Sequence, residues 1–339
     1  MCECYFIPPI VLENLAMADV EEARVTALDS NKTTAERSAK KLDVYSVMAA
    51  APKNPMRSVY DCQSKGQQRV KLVRKEGDPA SADQDINYAY DYAGVTRDFY
   101  KNVLKRNSID DQGLDMILNV HYGVKFMNAY WDGDEMTFGD GDGKIFIDFD
   151  RSIDVVAHEL THGVTQYTAN LEYKGQSGAL NEHFSDAIGS AIQQYFDKST
   201  AEKADWLIGN EIMGPTLYGE ALRSMKAPGT AYDNDLLGKD PQPDHMRDYY
   251  QGSDDNYGVH INSGIPNKAF YLVSMDIGTD KAAMIWYEAW KKLTPKADFN
   301  FAVKKIADAA RELTNKKIVP QGSTQCVRAA FKEVGLSTK

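Results

Sequence analysis

The chain has 339 residues, of which 43% are apolar and 26% charged, and its formal net charge is -10 at pH 7. These values are typical of an ordinary folded protein and exclude a disordered chain. The negative charge argues against a nucleic-acid partner, which would require clustered Lys and Arg. No apolar run reaches the roughly 18 residues that a membrane span needs. We expect a monomer with no membrane segment.

The N-terminus gives two further expectations. Residues 1–24 carry acidic residues where a secretory signal would have a basic start and a clean apolar core, so no classical signal peptide is expected. Secretion by a non-classical route and a cytoplasmic location both stay open. Four cysteines are too few and too scattered for a disulfide framework. Cys2 and Cys4 form a C-x-C that could bind metal, but without a second pair we expect reduced thiols near a chain end.

Residues 1–50 are predicted to be a unit of their own. The stretch PPIVLENLAM begins with the stiff Pro8-Pro9 pair and continues as an apolar stripe, and residues 19–48 supply two polar, helix-prone segments. Residues 49–55, AAAPKNP, are predicted to be a small-residue linker that a protease can reach.

The remaining chain is predicted to have strands first and helices second. Short alternating segments, typical of antiparallel strands, predict strands over 57–63, 68–77, 116–123, 125–133, 135–143 and 145–149. Helical patterns predict helices over 87–106, 152–168, 178–196, 262–276, 280–293, 300–314 and 323–335. The predicted fold class is therefore α+β. The predicted boundaries are 1–50, 51–160 and 161–339.

The run His158-Glu159-Leu160-Thr161-His162 carries the main chemical signal. Positions i and i+4 of an α-helix lie on one face, so the two imidazoles can share one ion. The pattern alone arises by chance in roughly 1 chain in 100 of this length, judged from residue frequencies. A second polar cluster, which begins at Asn181-Glu182, lies on a later helical stretch that can return antiparallel and bring Glu182 to the ion.

His158, His162 and Glu182 together form the donor set of an open catalytic zinc site, with the fourth position left for water. A structural zinc would more often use cysteine. Asp186 lies one turn after Glu182, where it can accept a hydrogen bond from the free ring nitrogen of His158 and fix its tautomer, and Asn181 can serve His162 similarly.

Glu159 is predicted to be a general base and not a ligand, because one helical step rotates it about 100° from His158. A carboxylate beside zinc-activated water can take its proton and deliver it to a leaving group. The alternative is an amphipathic helix with incidental polar residues, which Glu182 and Asp186 disfavour.

Several separated blocks resemble the thermolysin-like zinc metalloprotease family, in the family's order, over roughly residues 57–336. The blocks are NAYWDG with EMTFGDGDG (128–143), DVVAHELTH (154–162), SGALNE (177–182), ALRSM (221–225) and DNYGVHINSGIPNKAFYL (255–272). The resemblance implies a β-rich N-terminal lobe, a helical C-terminal lobe and a zinc-binding helix between them. It implies a zinc-dependent endopeptidase that acts on peptides or proteins.

The resemblance also assigns roles residue by residue. His158, His162 and Glu182 would be zinc ligands and Glu159 the general base. Donors to the oxyanion of the tetrahedral intermediate would be His260 and Tyr173, with Asp255 orienting His260. Other substrate contacts would come from Arg223, which holds a carbonyl, and from Asn128 and the backbone of Ala129, which align the peptide.

The resemblance implies an apolar pocket after the scissile bond and cleavage before a large hydrophobic residue. The implied lining residues are Phe146, Phe149, Val155, Ile208 and Leu222. Phe149 is bulkier than the leucine common at that position, which predicts a shallower pocket. His121, His183 and His245 have no role in this scheme and are interpreted as structural.

Residues 1–50 resemble the propeptides of the short-propeptide, protealysin-like branch. Pro8, Pro9 and Leu12 match its inhibitory element, which implies a propeptide that lies in the substrate cleft and blocks it until removed. A stiff di-proline loses little entropy on docking. A further hypothesis is that the thiolate of Cys2 or Cys4 reaches the zinc; its alternative is a solvent-exposed thiol near a frayed terminus.

Calcium is doubtful in this chain. At the family's double-calcium position Asp154 and Asp205 are present, but Gln193, Leu207 and Asn210 occupy other ligand positions. Calcium requires several oxygen ligands, preferably carboxylates, so we expect no tightly bound calcium there. Two other functions stay open: a catalytically silent zinc-stabilised binding protein, and an interaction module whose first fifty residues bind a partner groove.

Overall fold

A computed structural model describes residues 4–39 and 54–337 of the chain. Its helices are α1 (Pro9–Met17), α2 (Glu21–Ala39), α3 (Gln84–Asn102), α4 (Ile153–Gln166), α5 (Gly175–Asp197), α6 (Asp254–Asn262), α7 (Gly264–Ile277), α8 (Thr279–Trp290), α9 (Phe299–Asn315) and α10 (Ser323–Glu333). Its strands are β1 (Cys4–Tyr5), β2 (Arg57–Asp61), β3 (Lys71–Lys75), β4 (Met116–Val120), β5 (Ala129–Trp131), β6 (Met136–Phe138), β7 (Leu207–Ile208), β8 (Arg223–Ser224), β9 (Asp233–Asn234) and β10 (Gly238–Lys239). The predicted α+β class is confirmed.

The main sheet has six strands in the order β1-β5-β6-β4-β2-β3. Strands β2 and β3 pair antiparallel, as their alternating patterns predict. Strand β4 instead runs parallel to both neighbours, β2 and β6. The chain reverses through β3 and helix α3 between β2 and β4, and it reverses through β5 between β4 and β6. At the edge, β1 adds antiparallel to β5, so the N-terminus of the chain completes this sheet.

The predicted strand over 145–149 is wrong. Phe146 forms only an isolated antiparallel bridge to Met213, and Phe149 begins a short 3-10 turn. The side chain of Asp142 accepts hydrogen bonds from the backbone N–H groups of residues 144–146. Such Asx contacts favour a turn over a strand. The 3-10 turn leads directly into α4.

Helices α4 and α5 pack side by side in the interior. A Cβ added at Gly189 of α5 would lie 3.0 Å from the backbone oxygen of Asp154 in α4, so the glycine permits this close approach. All of α4 is buried, as is most of α5. The predicted helix over 262–276 corresponds to α7. A further helix, α6, precedes it and contains four residues, 255–258, in the left-handed conformation.

The N-terminal unit consists of β1 and the helices α1 and α2. Val11, Leu12 and Leu15 of α1 are buried, whereas Met17 is 80% exposed. Residues 49–53 of the predicted linker, and the predicted boundary at residue 50, lie outside the described residues. The predicted boundary at residue 160 falls inside α4, and the domain boundaries stay predictions.

In the parts of the chain that the structure describes, no helix is both long enough and apolar enough to cross a bilayer.

Candidate active site

The two histidines of α4 face each other through their Nε2 atoms. His158 and His162 are fully buried, and their Nε2 atoms lie 2.9 Å apart. Glu182 of α5 reaches both: its Oε2 is 3.4 Å from Nε2 of His158, and its Oε1 is 3.4 Å from Nε2 of His162. Three possible metal ligands from two helices therefore converge on one point.

Partners outside this point orient both imidazoles. Nδ1 of His158 lies 2.9 Å from Asp186 Oδ1, and Nδ1 of His162 lies 3.0 Å from Asn181 Oδ1. When each Nδ1–H donates to these oxygens, each Nε2 keeps a lone pair for a metal. Arg223 in turn donates to both oxygens of Asp186, from Nε and Nη2, at 2.9 Å each.

The donor set fits a bound cation. Oε2 of Glu182 is buried and has no hydrogen-bond partner among the described residues. Burial alone would raise the pKa of Glu182, but the neighbouring histidines His260, His162 and His158 outweigh it and hold that pKa well below the ordinary value. A buried carboxylate oxygen without a donor is costly unless it binds a positive charge. Two nitrogens and one carboxylate oxygen are the protein ligands of open, catalytic zinc sites.

Glu159 lies between this donor set and strand β5. Its Oε2 accepts the backbone N–H of Trp131 at 2.9 Å, and its Oε1 has no hydrogen-bond partner in the described part of the chain. Burial raises the pKa of Glu159 to about 8. A carboxylate with a raised pKa and one available oxygen can act as a general base near neutral pH.

Tyr173 and His260 meet on the opposite side of Glu182. The Tyr173 hydroxyl donates to Glu182 Oε1 and lies 3.1 Å from Nε2 of His260. Asp255 holds the histidine, with Oδ1 2.5 Å from Nδ1 and Oδ2 accepting the backbone N–H of His260 at 2.7 Å. Burial opposes a charge on His260, but Asp255 and Glu182 raise its pKa to about 9. The pair can present an imidazolium and a phenol to a developing oxyanion.

The left-handed turn at residues 255–258 positions Asp255. Three of its four residues, Asp255, Asn256 and Tyr257, are not glycine and have φ between 50° and 66°. This conformation costs roughly 1–2 kcal/mol for each such residue. The hydrogen bonds that Asp255 accepts from the backbone N–H groups of His260 and Ile261 offset that cost, and strain of this kind is common at functional sites.

Residues Cys4–Ile7, which we call the N-terminal segment, cross the site along β5. Phe6 N–H donates to the backbone oxygen of Ala129 at 3.0 Å, and Ile7 N–H donates to Asn128 Oδ1 at 2.9 Å. Asn128 Nδ2 donates back to the Ile7 oxygen at 3.4 Å. Asn128 and Ala129 thus align a peptide, and that peptide is part of the same chain.

The carbonyl groups of the N-terminal segment lie against the predicted catalytic side chains. The backbone oxygen of Tyr5 is 3.0 Å from Nε2 of His260. The next oxygen, that of Phe6, accepts a hydrogen bond from Arg223 Nη1 at 3.4 Å. The Tyr5–Phe6 peptide bond therefore lies at the centre of the site.

The Phe6 side chain is fully buried close to Leu222, one of the residues predicted to line the apolar pocket. Its ring meets the ring of His158 edge-on, with centroids 5.1 Å apart. A Cβ at Gly209 would lie 3.0 Å from the Phe6 ring and 3.1 Å from Leu222, so the glycine leaves room for both. The other predicted lining residues are also buried in the large core that contains Phe6, and their contact with its ring stays a prediction: Phe146, Phe149, Val155 and Ile208.

The observed state of Cys4 differs from the expected one. Cys4 is fully buried and disulfide-bonded, so the expected reduced thiol near a frayed end is wrong for this residue. Its Sγ, a ring nitrogen of His162 and a carboxylate oxygen of Glu182 all lie within 4.8 Å of one another. Cys2 lies outside the described residues.

The predicted inhibitory residues stand just beyond the N-terminal segment. Pro8 is buried, Pro9 is exposed at the first position of α1, and Leu12 is 4% exposed. Sequence reasoning missed the residues that touch the site: Tyr5, Phe6, Ile7 and Trp131. The one signal for the first three was the apolar run YFI directly before the prolines.

The two acids at the predicted calcium position bond to protein donors. Asp154 is buried and accepts the N–H groups of Gly209 and Val155 at 2.7 and 2.8 Å. Asp205 accepts a hydrogen bond from the Asn210 amide at 3.3 Å. The expectation of no tightly bound calcium stays a prediction.

The other histidines bond within the fold. Nδ1 of His183 lies 2.7 Å from Asn267 Oδ1, and its Nε2 accepts from the Trp286 indole at 2.6 Å. His121 lies between Asp140 and Asp83, at 2.9 and 3.1 Å. His245 accepts a backbone N–H at 2.9 Å at the start of a 3-10 turn. These contacts fit the structural interpretation.

A buried set of two histidines and a carboxylate, with a general base and paired oxyanion donors beside a peptide-binding strand, defines the class of metal-dependent peptide hydrolases. The chain belongs to the thermolysin metallopeptidase family. The model described as the catalytic domain of thermolysin metallopeptidases matches residues 16–166, and the model of their alpha-helical domain matches residues 169–336.

Individual relatives match nearly the whole chain. An extracellular metalloprotease of Pectobacterium carotovorum subsp. carotovorum is 45% identical over 329 residues, which cover 92% of each chain. Protease PrtS of Photorhabdus sp. (strain Az29) is 45% identical over 290 residues, 84% of this chain and 77% of that one. The solved precursor of protealysin from Serratia proteamaculans matches with a TM-score of 0.86 and 42% identity, over 98% of this chain and 100% of that one.

These matches confirm the predicted class of thermolysin-like zinc metalloendopeptidase and its two-lobed fold. The family is zinc-dependent and acts on peptide substrates. The two alternatives, a silent binding protein and an interaction module, have no support from them.

Proposed function

We propose that the chain is the latent precursor of an endopeptidase that cleaves before large hydrophobic residues, with zinc bound by His158, His162 and Glu182. The observation that carries the proposal is the N-terminal segment on β5. A peptide that adds a strand to a sheet edge gains affinity from its backbone and specificity from side-chain pockets. The segment uses both, through Ala129 and through the pocket that holds Phe6.

The predicted substrate preference follows from where Phe6 lies. The Tyr5 carbonyl is beside His260, so the residue after it occupies the position of the first residue beyond the scissile bond. That residue is Phe6, and its ring is fully buried. Burying a side chain of this size contributes roughly 1.5–3 kcal/mol. Substrates with Phe or Leu at this position should be preferred over those with a charged residue.

The catalytic steps are distributed over the side chains that surround the Tyr5 carbonyl. When bound, zinc supplies Lewis acidity, which polarises a carbonyl and lowers the pKa of water. Glu159 takes the proton of the attacking water on its available Oε1 and passes it to the leaving nitrogen. His260 and Tyr173 donate to the oxyanion; the loss of one such donor typically costs roughly 100- to 1000-fold in kcat.

Latency follows from competition for the same groups. A substrate needs the Ala129 oxygen and the Asn128 amide, and the N-terminal segment already bonds to both. Buried residues of α1, among them Leu12 and Leu15, anchor the segment, so it competes at a high effective concentration. Cleavage of the chain after α2 would let the segment dissociate.

The test uses the full chain and a chain cut by an added protease near residues 48–56. We expect one zinc in each form, and hydrolysis of a quenched peptide with Phe after the scissile bond only in the cut form. Glu159→Gln should lower hydrolysis roughly 100- to 10,000-fold while zinc stays bound. Equal hydrolysis by the uncut chain would contradict latency, and zinc without hydrolysis in either form would contradict the proposed mechanism.

A further inference from the structure

We propose that Cys4 is a removable fourth ligand of the zinc, available when its disulfide is reduced, so that the redox state of the N-terminal segment controls closure of the site. The inference rests on the proposed function, because it requires zinc at His158, His162 and Glu182. It adds Cys4 as a ligand to that set, and it adds the condition that Cys4 binds only when its disulfide is reduced.

The sulfur already lies among the ligand atoms. Cys4 Sγ, a ring nitrogen of His162 and a carboxylate oxygen of Glu182 are mutually within 4.8 Å. Ligands of a tetrahedral zinc with bonds of about 2.0–2.3 Å are roughly 3.6 Å apart. A shift of about 1 Å therefore brings the sulfur into a normal coordination distance. In addition, Glu182 Oε2 is buried with no hydrogen-bond partner in the described residues.

Strand pairing sets the position of the sulfur. Cys4 lies opposite Trp131 and Tyr5 opposite Tyr130 in the β1–β5 pair. Cys4 and Phe6 are two residues apart, so their side chains point to the same face, about 6.6 Å apart along the strand. His158 and His162 are four residues apart, about 6.0 Å along α4.

Because the two spacings are similar, the side chains of Cys4 and Phe6 on the strand can lie opposite those of His162 and His158 on the helix. The Phe6 ring contacts the His158 ring, and the Cys4 sulfur lies near the next histidine of the helix, His162. The sulfur is therefore aimed at the donor set by the same register that seats Phe6 in its pocket.

The oxidation state decides whether this sulfur can bind zinc. Only a thiolate is a strong ligand, and Cys4 is disulfide-bonded in the structure. Two-electron reduction by a thiol or phosphine breaks the S–S bond and leaves two thiols. A thiol reductant ends as its own disulfide, and a phosphine takes oxygen from water and ends as its oxide. Cys4 then loses its proton to solvent as its sulfur binds the metal.

The reduced chain would hold zinc with four protein ligands, a closed shell with no position for water. In the oxidised chain the fourth position would be accessible, and the N-terminal segment would be held by β pairing, by Asn128 and by the burial of Phe6 and α1, with no bond to the metal. The reduced precursor should be the more firmly latent form.

Zinc-edge X-ray absorption of the full, uncut chain tests the ligand set directly. In the phosphine-reduced chain we expect one sulfur at about 2.3 Å from zinc, and in the oxidised chain nitrogen and oxygen ligands only at about 2.0–2.1 Å. Cys4→Ser should lack the sulfur in both states. The matched control, Cys326→Ser, removes a free and partly exposed thiol elsewhere and should behave as the wild type.

A second variant keeps the test independent of how well Cys4→Ser folds. Cys62→Ser combined with Cys326→Ser removes the two free thiols of the described residues and leaves Cys4 unchanged. This double variant should still show one sulfur at zinc when it is reduced. No sulfur at zinc in the reduced wild type and in the reduced double variant would overturn the inference.

The two proposals fail in different ways. Zinc with hydrolysis after the cut, but no sulfur shell in the reduced precursor, overturns only the role of Cys4. No zinc at all, or zinc without hydrolysis after the cut, overturns the proposed function as well.

Discussion

Phe6→Ala should open the cleft of the uncut chain more than any other single truncation in the N-terminal segment. The Phe6 side chain is fully buried against His158, Leu222 and the Gly209 backbone. Truncating a buried Phe to Ala costs roughly 3–5 kcal/mol. Since about 1.4 kcal/mol is a factor of ten, the equilibrium constant for docking of the segment should fall roughly 100- to 5000-fold.

The assay measures access to the site without catalysis. In a Glu159→Gln background the chain cannot cut itself, and the Gln oxygen can still accept the Trp131 N–H that Glu159 binds at 2.9 Å. A fluorescent peptide inhibitor with Phe for the same pocket binds only chains whose segment is undocked. Its apparent Kd is the intrinsic Kd divided by the open fraction. Phe6→Ala should lower that Kd by the same roughly 100- to 5000-fold, up to the limit set by a fully open cleft.

Met17→Ala is the matched control. It also removes a large apolar side chain from the N-terminal unit, but Met17 is 80% exposed. Surface truncations change free energies by about 0.5 kcal/mol or less, so the Kd should change no more than roughly twofold. If Phe6→Ala and Met17→Ala gave the same Kd while both chains stayed folded, the seating of Phe6 would not be what closes the cleft.

Three further substitutions test contacts around the site and in the sheet. Arg223→Lys loses the two-pronged contact to the acid that orients His158, so kcat/KM of the cut enzyme should fall roughly 10- to 100-fold, and an unchanged value in steady-state assays would contradict that role. His121→Gln should lower the melting temperature at pH 7, because the hydrogen bond to Asp140 and the nearby Asp83 raise the pKa of His121 to about 10. The folded pKa lies above the unfolded value of about 6.5, so the difference from wild type should be full below pH 6.5 and disappear as the pH rises towards 10. Asp150→Asn should raise the melting temperature at pH 7, because burial raises the pKa of Asp150 well above its ordinary value and its charge therefore destabilises the fold. That gain should vanish below about pH 4, where the acid is protonated in both states, and a gain that persisted there would have another cause.

Local pattern predicted the catalytic helices well. The i, i+4 spacing of His158 and His162 determines that both lie on one face of α4, whatever the surrounding fold. The short connection to α5 allowed Glu182 to be placed on the same ion. Helical periodicity can be recognised in a single sequence because apolar positions recur at every turn. The observed helix ends differ from the predicted ones by only a few residues.

Contacts between segments that are distant in sequence could not be predicted from local sequence patterns. The pairing of Phe6 with Ala129 joins residues more than a hundred positions apart, and β1 has only two residues, too few for any periodicity. The left-handed turn at 255–258 has no glycine until its last residue, so local propensity argues against it. The hydrogen bonds that Asp255 accepts from His260 stabilise the turn, and they exist only in the folded chain.

A segment that lies in the register of a substrate must also escape hydrolysis. The Tyr5 carbonyl is 3.0 Å from His260 Nε2 and Phe6 fills the pocket, so these contacts alone would make the N-terminal segment a substrate as much as an inhibitor. The difference is whether water reaches the Tyr5 carbonyl carbon. A Cys4 thiolate on the zinc would exclude it, whereas the disulfide would not. The oxidised full chain should therefore lose its first five residues slowly and give a new N-terminus at Phe6, detectable by mass spectrometry, while the phosphine-reduced chain stays intact. Cleavage at equal rates in both states, or in neither, would contradict this protection by sulfur.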